Sequence, residues 1–89
     1  MRVLLHPVSA KYLTRLNEPD KSHIKNALQG LEREPPAGDI KPITGQSGNF
    51  RLRIGSYRVF FRHRDDHIFV THIEPRGQAY KKKNRGNRK

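Results

Sequence analysis

The sequence has no cysteine and no tryptophan, only 8 acidic residues against 19 lysines and arginines, and no long apolar run. Without cysteine there is no thiol catalysis, no thiolate metal site and no disulfide staple, which fits a reducing compartment. With 33% hydrophobic residues in 89, the core is modest. A chain of this size buries only about 60 to 65% of its unfolded surface, and a bound partner can add to its stability. Ahead of His6 and Pro7 the only apolar run is Val3, Leu4 and Leu5. That is far short of a signal-peptide core, and nothing approaches transmembrane length. The expectation is one soluble, cytoplasmic domain with no membrane partner.

What is present is positive charge, a formal +11. An excess of this size favours polyanions, through counterion release from phosphate backbones, over acidic protein surfaces or anionic lipid. Charge kept only for solubility is the simpler reading, but it costs stability through self-repulsion.

Arg2 to Pro7 fits a first strand ending near Pro7. Ser9 is a candidate N-cap for a helix running to Leu16. A second helix over 20–32 carries Ile24, Ala27, Leu28 and Leu31 at i, i+3, i+4, i+7, and Pro35 and Pro36 end it. Residues 37–48 read mostly as loop, with Ile40 and Ile43 as anchors of a short edge segment. Three strands follow, 49–54, 57–64 and 67–73, linked at Gly55-Ser56 and Asp65-Asp66. Residues 81–89 hold six lysines or arginines and no apolar side chain, the composition of a basic tail.

Strand alternation puts Phe50, Leu52 and Ile54 on one face and Arg51 and Arg53 on the other. In the next strand Tyr57, Val59, Phe61 and His63 share a side, opposite Arg58, Phe60, Arg62 and Arg64. Basic residues around an aromatic ring suit nucleotides. Between Phe50 and Arg64 there is no Asp or Glu, whereas a merely solvated face would intersperse acids.

The ordered pair Phe50-Arg51-Leu52-Arg53-Ile54-Gly55-Ser56-Tyr57-Arg58-Val59 and His72-Ile73-Glu74-Pro75-Arg76-Gly77-Gln78-Ala79-Tyr80 resembles the RelE/ParE superfamily of toxin-antitoxin toxins. Phe50 stands where Tyr is common and Pro75 where many relatives have His. The resemblance implies an α+β domain over residues 1–80, two N-terminal antiparallel helices packed on a small, mainly antiparallel sheet, with 81–89 as a flexible basic tail. It implies a cognate antitoxin as partner and a RelE-type activity, ribosome-dependent endonucleolytic cleavage of messenger RNA. ParE-type inhibition of DNA gyrase is the alternative, and a non-catalytic RNA-binding module is a third reading. By position, Arg51 and Arg53 match a basic pair that is usually lysine, Arg58 a strand arginine, Arg76 an arginine of the carboxy-terminal block, and Tyr80 a terminal tyrosine.

Cleavage by attack of the 2′-OH on the adjacent phosphate needs a proton acceptor, stabilisation of the phosphorane and protonation of the 5′ oxygen. Arginines suit the second task but stay charged and make poor bases. Tyr80 is therefore the candidate for proton transfer, with stacking on a base, or anchoring the chain end to the sheet, as its other roles. Arg51, Arg53, Arg58, Arg76 and Tyr80 form the expected catalytic set. Arg51, Arg53, Arg58, Arg62, Lys81, Lys82 and Lys83 form the RNA-binding set, although the run of Arg62 and Arg64 toward the Asp65-Asp66 turn makes local charge pairing the simpler account of those two. His63, His67 and His72 lack metal-ligand spacing and read as surface or pairing residues. Asp65 and Asp66 read as turn residues, Glu74 as an ion-pair partner of Arg76, and Gly45-Gln46-Ser47-Gly48 as a loop. No phosphate-binding loop, Ser/His/Asp order or metal motif occurs, and no cofactor is expected.

Overall fold

The computed structural model describes residues 1–75; Arg76, Tyr80, Lys81, Lys82, Lys83 and the basic tail lie outside them. The element order is β1 (Arg2–Leu5), α1 (Pro7–Arg15), α2 (Asp20–Gly30), β2 (Asp39–Pro42), β3 (Asn49–Ile54), β4 (Tyr57–Arg64) and β5 (His67–Pro75). One sheet runs β1-β5-β4-β3-β2, with β1 parallel to β5 and every other pair antiparallel. The predicted α+β architecture is the observed one.

Both helices lie on one face, α1 against β5 and α2 against β3. Leu13, Ile24, Leu28 and Leu31 from the helical side meet Leu52, Val59, Phe61, Ile68, Val70 and Ile73 from the sheet. The helical stripe read from the sequence is this contact. In register, Phe50 pairs with Phe61, Leu52 with Val59 and Ile54 with Tyr57. The apolar sides of β3 and β4 therefore coincide, and their arginines share the opposite, helix-free face.

Two expectations change. Helix α1 starts before Ser9, because Pro7 fits the first turn, where no N–H is needed, and His6 caps it, its Nδ1 accepting from the Val8 N–H at 3.1 Å. Ser9 is instead fully buried inside the helix, its Oγ donating to the Val70 carbonyl at 3.4 Å. The edge segment is a true strand, β2, which pairs Ile40 with Leu52 and ends at Pro42, a residue an edge strand tolerates.

In β5 the alternation breaks. Phe60 pairs with His72 but Phe61 pairs with Val70, so Thr71 is an extra residue, a β-bulge, with its Oγ1 donating to the Phe60 carbonyl at 3.2 Å. Strict alternation would put Val70, His72 and Glu74 on one side. The bulge instead buries Val70 and Ile73, three residues apart, and turns His72 and Glu74 to the helix-free face.

Candidate nucleic-acid interface

On the helix-free face the register aligns side chains in rows across four strands. One row is Asp39, Arg53, Arg58 and Glu74; the next is Lys41, Arg51, Phe60 and His72. Arg53 and Arg58 face each other directly, a like-charge pairing that is unfavourable alone, and each has an acid on its other side. Arg53 Nε lies 3.8 Å from Asp39 Oδ2, and Arg58 Nη2 lies 2.6 Å from Glu74 Oε2.

The first row is thus close to neutral. In the second, Lys41 and Arg51 have no acid within ion-pair distance among the described residues, and Arg51 stands directly across from the aromatic ring of Phe60. Arg58 also places its guanidinium carbon 5.7 Å from the Phe60 centroid, and the ring of His72, from the neighbouring strand β5, lies 5.8 Å from that of Phe60. Arg58 Nε is buried without a hydrogen-bond partner among the described residues.

Glu74 joins the two rows. One carboxylate oxygen takes the Arg58 bond, and the other lies 3.0 Å from His72 Nε2. Among the described residues the ion-pair partner of Glu74 is thus Arg58, 16 residues away and directly across the ladder; the expected Glu74–Arg76 pair involves Arg76, which lies outside them. Arg62 and Arg64 form no ion pair among the described residues; Asp66 instead lies 3.4 Å from His67 Nδ1. Asp65 carries φ 44°, as a turn residue would. His63 packs edge-on to Phe50.

Beside Phe60 a cleft of about 430 Å³ is lined by Gln46, Asn49, Phe60, Arg62, His72 and Glu74, among others. Its volume is within the range of small-ligand pockets. The rim is ordered: Asn49 Nδ2 donates to Gln46 Oε1 at 3.1 Å, and the His63 N–H donates to the Gly48 carbonyl at 3.0 Å. The 45–48 segment is therefore a wall of the cleft as well as a loop.

Arg51, Arg53, Arg58 and Arg62 all lie on this face: alternation groups Arg51 with Arg53 and Arg58 with Arg62, and the register, which the sequence leaves open, brings the two groups together. His72 and Glu74 were not expected there. The signal was the spacing of Val70 and Ile73, two strongly apolar residues separated by a polar pair inside a strand.

Under the sheet, the Tyr57 hydroxyl donates to Asp20 Oδ2 at 2.8 Å, tying β4 to the start of α2. That bond, with burial and the Asp20 charge, pushes the Tyr57 phenol up to about 12. Burial first, then the charges of Glu74 and Asp20, raises Tyr12 as well.

Residues 3–80 match the family model described as ParE toxin of type II toxin-antitoxin system, parDE. Among solved structures the chain is similar to the RelB-RelE antitoxin-toxin complex from Methanococcus jannaschii, at 23% identity and TM-score 0.70, covering 89% of this chain and 96% of that one. It is similar to the archaeal RelE-RelB complex from Pyrococcus horikoshii OT3, at 27% identity and TM-score 0.71, covering 86% and 96%. The isolated E. coli RelE toxin shares 14% identity at TM-score 0.73, with 96% of each chain covered. Comparison with curated proteins returns no match.

Proposed function

We propose that this chain, which belongs to the ParE toxin family of type II toxin-antitoxin systems and so to the RelE/ParE superfamily, is a ribosome-dependent messenger RNA endonuclease. The observation that carries this reading is the row Lys41, Arg51, Phe60 and His72, set beside Arg58 on a face the helices leave open. Cations that stay charged, beside an aromatic ring and near a cleft, can hold a phosphate and stack a base at once.

In this reading Arg51, Arg53 and Arg58 contact phosphates, and Arg58 stabilises the charge that builds up on the phosphorane. Arg62, with Lys81, Lys82 and Lys83, adds backbone affinity. Arg76 and Tyr80 contribute from the carboxy-terminal block, Tyr80 in passing a proton to the 5′ oxygen. The partners are messenger RNA on the ribosome and a cognate antitoxin whose acidic segment covers the same basic face, and the protein acts in the cytoplasm.

Controlled expression in cells tests the reading. Growth arrest with new messenger RNA 5′ ends clustered inside reading frames supports it. Growth arrest with intact messenger RNA and loss of DNA supercoiling would replace it with gyrase inhibition.

A further inference from the structure

The arginine face has one chemical gap: no arginine on it accepts a proton at working pH. We infer that His72, held by Glu74, is the general base that takes the 2′-hydroxyl proton; this rests on the endonuclease reading above.

The argument starts from Glu74. Its Oε2 receives the Arg58 bond at 2.6 Å, which holds the carboxylate in place. An ionised carboxylate can only accept, so at 3.0 Å from its Oε1 the His72 Nε2 carries the hydrogen. A neutral imidazole with its proton fixed on Nε2 presents the Nδ1 lone pair, and Nδ1 has no hydrogen-bond partner among the described residues.

Placement agrees with this role. The His72 side chain is 52% exposed, borders the cleft and lies beside Phe60. Arg58 is joined to it through a single carboxylate, so the proton acceptor and the phosphate-binding cation are held in one unit. The Thr71 bulge turns both His72 and Glu74 to this face while keeping Val70 and Ile73 in the core.

In the step itself the 2′ oxygen gives its proton to His72 Nδ1 and forms a bond to phosphorus. The bond from phosphorus to the 5′ oxygen breaks, and that oxygen leaves with the electron pair and takes a proton passed from water by Tyr80. The products are a 2′,3′-cyclic phosphate and a 5′-hydroxyl, and the imidazolium returns its proton to solvent.

The test is single-turnover cleavage on programmed ribosomes by the full chain and its variants, with thermal unfolding followed in parallel. His72→Gln is expected to unfold at the wild-type temperature and to cut about 100-fold more slowly or worse, the usual span for a lost general base. Free imidazole should restore part of the rate of His72→Ala and none of that of Arg58→Ala. Wild-type cutting with His72→Gln equally fast, or His72→Ala impaired and not restored by imidazole, overturns the assignment and leaves the endonuclease reading standing. A wild-type protein that does not cut overturns both.

Discussion

Arg58 and Glu74 face each other across the β4–β5 ladder, 2.6 Å apart, and the same carboxylate holds His72. Sixteen residues separate them in the chain, so only the register and the Thr71 bulge bring them together. Both side chains are about a third exposed, 31% and 29%, and a pair so placed is screened by water. A double-mutant cycle of Arg58→Ala and Glu74→Ala should give a coupling of about 0.5 to 1 kcal/mol in chemical denaturation. The effect on cleavage should be much larger, because Glu74 positions two groups. A coupling of several kcal/mol would mark the pair as structural first.

Arg51 has no acid to neutralise it among the described residues. Arg51→Ala should weaken RNA binding and reduce the slope of log affinity against log salt by about 0.7, the value for one single-strand phosphate contact. Titrations at several salt concentrations measure it. An unchanged slope would remove Arg51 from the phosphate contacts.

Gly38 has φ 138°, and a Cβ there would lie 2.7 Å from Leu52 Cδ1, in the buried centre of the sheet. Gly38→Ala therefore combines backbone strain with a clash in the core. The expected loss is about 1 to 3 kcal/mol, read from denaturant midpoints.

The hydrogen bond from Tyr57 to Asp20 favours the protonated phenol, and the folded value, about 12, lies above the ordinary value of 10.0. Its contribution is complete below pH 10 and is lost as pH rises toward 12. Tyr57→Phe should cost about 1 kcal/mol at pH 8, and the difference from wild type should shrink by pH 11. Unfolding at the two pH values measures this.

Much of the architecture was legible because local pattern and packing agree. The Ile24, Ala27, Leu28 and Leu31 stripe faces the core, and Phe50, Leu52 and Ile54 pair with Phe61, Val59 and Tyr57 as alternation requires. The common arginine face needed the β3–β4 register as well, which alternation alone leaves open. The acids that temper it were not legible: Asp39 comes from an edge strand and Glu74 from β5, so a window from Phe50 to Arg64 contains neither. His72 and Glu74 were assigned no role on that face, because an unrecognised bulge inverts the alternation that follows it. The His6 cap was missed for a similar reason: an imidazole does the work usually read from a hydroxyl.

The most direct measurement is to supply the purified protein to a reconstituted translation reaction stalled at a defined codon and to map messenger RNA 5′ ends by primer extension. The account predicts new ends within the ribosomal A site for the wild type, a loss of at least about 100-fold for Arg58→Ala, and no cutting of the same RNA without ribosomes. Intact messenger RNA under a wild-type protein that still arrests growth would contradict it.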